Sequence, residues 1–109
     1  MMKKFDENYV LLEEMEKDSY FPDFLVEEVR ETLRPVIRLL EGGERDTEVI
    51  QEKLDEAVRA INDLEEAFEE NDSEIETSAR ESIAATVRYV LDWFGVEIDT
   101  ETAIREREW

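Results

Sequence analysis

The residues of this chain that could do chemistry are carboxylates and guanidinium groups, with little else beside them. Its 109 residues hold 32 acids against 13 bases, with no histidine and no cysteine, for a net charge of -19. The acids are densest around Glu65, Glu66, Glu69, Glu70, Asp72, Glu74 and Glu76. From Gly42 to Asp72 there are 12 acids and three bases, a balance of -9 and almost half the total. Such a surface can present carboxylates to a basic protein groove, as a nucleic-acid mimic does, and its field would speed encounter. The plainer reading of the same residues is a solvated helix face, such as a salt-adapted organism would use. Lacking histidine and cysteine, the chain has no thiolate nucleophile, no disulfide, no Ser-His-Asp or Cys-His pair, and no histidine- or cysteine-ligated zinc site.

Carboxylates alone can still hold magnesium. All-helical nucleotide pyrophosphatases do so with an ExxE pair on one helix and an ExxD on its neighbour. Glu66-x-x-Glu69 matches the first half. The stretch after it offers Glu74, Glu76 and Glu81, but no ExxD, and ExxE arises readily in so acidic a chain. No metal or other cofactor is therefore assigned.

The bases are also patterned. Arg30, Arg34 and Arg38 form a ladder at i, i+4, i+8, able to grip an anion or to pair with acids of neighbouring helices. Arg80 falls beside an apolar helical arc. A partly buried guanidinium needs acceptors, and Glu76, one turn earlier, and Glu65, across a hairpin, are the expected partners of a structural ion pair. Trp93 and Trp109 are either anchors for a partner or, more simply, a core residue and a pin for the C-terminal end.

Four helices and a short fifth are predicted to position these residues. The first spans about Asp6 to Lys17, with Phe5, Tyr9, Leu12 and Met15 as its buried stripe. The second runs from about Pro22 to Glu41, with Val26, Val29, Leu33, Val36, Ile37 and Leu40 inward, a kink at Pro35 and an end at Gly42-Gly43. The third extends from Asp46 or Thr47 to about Asn71 on a stripe of Ile50, Leu54, Ala57, Ile61, Leu64 and Phe68. The fourth starts at a capping box, Ser73-Glu74-Ile75-Glu76, and ends at Gly95. Its broad apolar arc, Ile75, Ala79, Ile83, Val87, Val90, Leu91 and neighbours, is that of a central helix. Asp99 or Thr100 caps a last short helix running to Trp109. The short links predict that the second, third and fourth helices are antiparallel neighbours.

The segments Met15, Asp18-Ser19-Tyr20-Phe21-Pro22 and Leu25-Val26 resemble an uncharacterised family of small, mostly bacterial proteins, a domain of unknown function. So do Glu70 to Thr77, Ala79-Arg80-Glu81, Ile83-Ala84 and the aromatic C-terminus Arg107-Glu108-Trp109, with Glu108 in place of an expected aspartate. The stretch around Ser73 is the most specific part of the match. The third helix departs from the family pattern, being more acidic and lacking a histidine. The resemblance implies one helical domain and no activity.

Taken together, the residues predict an all-α, up-and-down bundle of three principal helices with shorter terminal ones, as a single domain over residues 1–109. Its expected role is non-enzymatic: an interaction or inhibitory module for a basic protein, of the immunity or nucleic-acid-mimic kind. A magnesium-dependent nucleotide hydrolase and a structural protein of a salt-adapted organism are the alternatives. Phosphate-bearing partners, nucleic acid or an anionic membrane, would be repelled. The N-terminal residues lack the apolar core of a signal peptide and no apolar run approaches the ~20 residues of a membrane span, so a cytoplasmic location is expected. Oligomeric state is left open.

Overall fold

The structure, a computed structural model, describes residues 3–109 and is built from helices: α1 (Glu13–Lys17), α2 (Asp23–Glu41), α3 (Thr47–Asp63), α4 (Glu65–Glu70), α5 (Thr77–Trp93) and α6 (Thr100–Ala103). No strand occurs among the described residues. The three long helices, α2, α3 and α5, are the principal ones expected. They meet where Leu33, Val36 and Ile37 of α2, Leu54 of α3, and Val87, Val90 and Leu91 of α5 converge around a void of only 10 Å³. That void is about one probe sphere, so the centre is close-packed. No helix is long and apolar enough to cross a membrane among the described residues.

The buried stripes follow the spacing of the sequence. Val29 and Leu40 of α2, Ile50 and Ile61 of α3, and Ala79, Ile83 and Leu91 of α5 are fully buried. The backbone of α2 runs helically through Pro35 and stops at Gly42-Gly43, where Gly43 takes φ 97°. That left-handed turn brings α3 back against α2. Asp46 caps α3, its carboxylate accepting from Glu48 N at 2.9 Å, and Asp99 caps α6 through Thr102 N at 3.1 Å. α6 ends at Ala103, short of the Trp109 expected. The main chain of α5 comes closest to α1 and α6 rather than to α3, so its broad apolar arc is covered by short elements as well as long ones.

Three further expectations need correction. The first helix does not span Asp6 to Lys17; it starts at Glu13. Residues 6–12 spend their polar groups on the rest of the fold. Leu12 N donates to Thr86 Oγ1 at 3.1 Å, Leu11 O accepts from Arg30 Nε at 2.8 Å, and the Asp6 carboxylate accepts from Asn8 N and from the Tyr89 hydroxyl. Leu12 turns left-handed at φ 58°, a rare conformation for leucine that only surrounding contacts can hold. Leu12 and Met15 are buried all the same, so the stripe faces inward along a segment that is mostly not helical.

The third helix breaks at Leu64, where Asn62 is occupied by the C-terminal segment: Asn62 Nδ2 donates to Glu106 O at 2.9 Å, and Asn62 Oδ1 accepts from Glu108 N at 3.0 Å.

The capping box at Ser73 does not form, and α5 starts four residues later. Asp72, at φ 58°, closes α4 in a Schellman turn: Ser73 N donates to Phe68 O at 2.8 Å and Asp72 N to Glu69 O at 3.1 Å. The Ser73 N–H that Glu76 should have capped is therefore already used. Residues 73–76 instead form an irregular segment that lays Ile75 on the core, with Glu76 extended just before α5.

Candidate functional site

The acidic cluster is mounted on three kinds of backbone. Glu65, Glu66, Glu69 and Glu70 belong to α4, Asp72 to the Schellman turn, and Glu74 and Glu76 to the irregular lead into α5. Phe68, fully buried, pins α4 to the core with its ring 6.4 Å from that of Phe21, which turns the acids outward. Glu66, Glu69, Glu70, Asp72, Glu74 and Glu76 are all exposed.

Ion pairs elsewhere in the fold compensate charge: Lys17–Glu13, Arg30–Glu16, Arg34–Glu31, Lys53–Glu56, Arg59–Glu106, Arg88–Asp92, Arg105–Asp55 and Arg107–Glu101. Among the described residues none of the seven cluster acids takes part in one. The surface is thus an uncompensated block of negative charge. No three acids converge to hold a metal ion among the described residues.

Glu65 differs from the other six. Its Oε1 is buried without a hydrogen-bond partner. Burial, then the charges of Glu108 and Glu69, push its carboxyl above the usual carboxylate range. Arg80 does not relieve it. The expected ion pair of Arg80 with Glu76 and Glu65 is absent among the described residues, and Arg80 Nε is buried without a partner. Glu76 is exposed and lies near Ser78, whose Oγ donates to it at 3.5 Å. The helix wheel placed Arg80 beside the apolar arc correctly; the unformed capping box moved Glu76 off the helix and out of register.

The arginine ladder makes part of its expected pairings. Arg30 reaches Glu16 of α1 at 3.2 Å and Glu27 at 3.2 Å, Arg34 reaches Glu27 and Glu31, and Arg38 has no ion pair among the described residues. Trp93 is not a deep core residue. It is half-buried beneath the N-terminal segment, its indole N–H donating to Lys4 O at 2.9 Å. Trp109 packs against the core at the far end of the chain.

A buried polar knot escaped the sequence reading. Asp55 accepts from Arg105 Nη2 at 2.7 Å and Nε at 3.2 Å, and from Gln51 Nε2 at 2.9 Å. Burial pushes its carboxyl up, but the Arg105 and Gln51 hydrogen bonds and the charges of Arg105 and Arg59 outweigh burial and hold it below the usual range. The same Gln51 amide reaches Thr102 O at 2.9 Å, so the knot ties α6 to α3. The i, i+4 spacing of Gln51 and Asp55 beside Leu54 was the one signal available for it.

A family model, described as a family of unknown function (DUF5713), matches residues 5–109. The chain belongs to that family. No curated protein and no solved structure matches it. The match runs from Phe5, the first aromatic under which Trp93 packs, to Trp109, and so spans the acidic turn, the arginine ladder and the polar knot within one family unit.

Proposed function

We propose that this member of the family is a non-enzymatic interaction module whose acidic face, Glu66, Glu69, Glu70, Asp72, Glu74 and Glu76, docks on a basic surface of another protein. One observation carries the reading: these six carboxylates are exposed and make no ion pair among the described residues, while most bases of the fold are already paired. A basic partner would supply the missing charge, and long-range attraction would speed its encounter. An immunity protein or an inhibitor of a nucleic-acid-binding enzyme works in this way, and the setting is cytoplasmic. Phosphate-bearing surfaces are disfavoured as partners by the same field.

The test is capture of partners at low and high salt, followed by association kinetics with a Glu66→Gln, Glu69→Gln, Glu70→Gln, Glu74→Gln variant. The variant keeps side-chain size and removes four charges from positions outside the core. Slower association and a weaker salt dependence are expected, because rim charges act on encounter more than on residence. Unchanged association would exclude this face and leave solvation, as in a salt-adapted protein, as the explanation of its acid.

A further inference from the structure

On a different face lies an open groove of 530 Å³, between the N-terminal segment and the outer side of α2. Its volume is in the range of pockets that take small ligands. One wall is the arginine ladder, Arg30, Arg34 and Arg38; Phe5, Val10 and Ile37 give the groove apolar surface. Of its five acids, Glu7 is exposed and makes no ion pair among the described residues, and the other four are engaged. Glu27 holds Arg30 and Arg34, Glu16 pairs with Arg30, Glu41 accepts from Phe5 N at 2.9 Å, and Asp6 accepts from the Tyr89 hydroxyl at 2.6 Å.

Donors, in contrast, are left over. Arg38 makes no ion pair or side-chain hydrogen bond among the described residues. Arg34 spends Nε on Glu31 and Nη2 on Glu27, which leaves Nη1. Arg30 is spent, its Nε on Leu11 O, its Nη1 on Glu27 and its Nη2 facing Glu16 Oε1 at 3.2 Å. Val10 is 41% exposed beside them, a large apolar side chain at the groove with nothing covering it.

We propose that this groove binds a small monocarboxylate with a flat apolar body, its carboxylate on Arg38 and Arg34 and its body against Val10 and Ile37. The guanidinium fork matches a carboxylate in two-point geometry. The net charge of -19 selects among anions: repulsion from the whole molecule acts once on a monocarboxylate and twice on a phosphate dianion. The apolar wall recovers what the field costs, because an aryl group buries area that inorganic phosphate does not have.

The experiment is an NMR titration of the whole protein with 2-naphthoate, read on the methyl groups of Val10, Leu11 and Ile37. Parallel titrations use 2-naphthamide and inorganic phosphate. Naphthoate is expected to saturate, with the amide and phosphate each at least about tenfold weaker, since each lacks one half of the recognition. Arg38→Gln should weaken naphthoate by about tenfold, as expected for loss of a charge-assisted pair. Arg38 is exposed, so its variants should melt as wild type does; Arg38→Lys, which keeps the charge without the fork, should fall between. Naphthoate that does not saturate by about 10 mM, Arg38→Gln that binds it unchanged, or amide or phosphate that binds as tightly, would each overturn the proposal.

Discussion

At the scale of single residues, two carboxylates carry opposite consequences for acid stability. Glu65 has a folded value raised by burial and by Glu108 and Glu69. Its contribution to stability is present below its unfolded value and is lost as pH rises through the higher folded one. Glu65→Gln, which has no charge to desolvate, should therefore melt higher than wild type near neutral pH, with the gap closing as pH falls to about 4. Thermal melts across that range check it, and a variant that melts lower at neutral pH would show that the Glu65 charge is satisfied.

Asp55 behaves in the other sense. Burial raises its value, but Arg105 and Gln51 bring it below the usual range, so its stabilisation is present above its unfolded value and disappears as pH falls through the folded one. Asp55→Ala should cost about 2 kcal/mol at neutral pH, measured by denaturant unfolding. The figure is that of hydrogen bonds to a charged group, discounted because Arg105 is half exposed.

At the scale of elements, the helix ends are where sequence and structure part. The long apolar stripes of α2, α3 and α5 were legible because burial follows periodicity: Val29, Ile50, Ile61 and Ile83 lie where their spacing puts them. The stripe Phe5, Tyr9, Leu12, Met15 was equally regular, yet most of it is not helical. Periodicity reports which side chains face inward and says nothing of where backbone hydrogen bonds go. Thr86, Arg30 and Tyr89 are far away in sequence and drew them off. Ser73 failed for the same reason on a shorter range, its N–H being claimed by Phe68 O. The acidic face was readable as composition; the missing Arg80 pair was not, because Glu76 was placed by a cap that another turn pre-empted and Glu65 by a hairpin of unbroken helices, whereas the helix breaks at Leu64.

That turn can be tested. Asp72 sits at φ 58°, a position in which glycine has no steric penalty. Asp72→Gly should stabilise the protein by about 0.5–1 kcal/mol, after the greater freedom of glycine in the unfolded chain is offset, and denaturant midpoints would measure it. Loss of stability on that change would mean that the Asp72 side chain holds the turn.

At the scale of the whole molecule, charge dominates. A net -19 on a body with a radius of gyration of 13.5 Å places like charges within a few screening lengths of one another. The melting temperature should rise by about 5 °C or more between low and molar sodium chloride, the equivalent of about 1 kcal/mol in a domain of this size. A flat profile would show that the internal ion pairs already balance the field. The chain is 41% apolar, and its buried residues form one continuous cluster from Leu11 to Ile104, which is what holds the molecule together against that repulsion.

The lodging of Trp93 makes the protein its own optical reporter. Its ring has the Lys3 ammonium 4.7 Å from the centroid, and its indole N–H is bound to the Lys4 carbonyl. Both contacts belong to the strand of chain that continues through Phe5 into the wall of the arginine groove. Lifting that segment would remove a cation from the indole face and admit water, altering emission colour and quenching together. Trp109 packs against the core at the other end of the chain, so replacing Trp109 by phenylalanine leaves a single tryptophan that reports on the N-terminal segment.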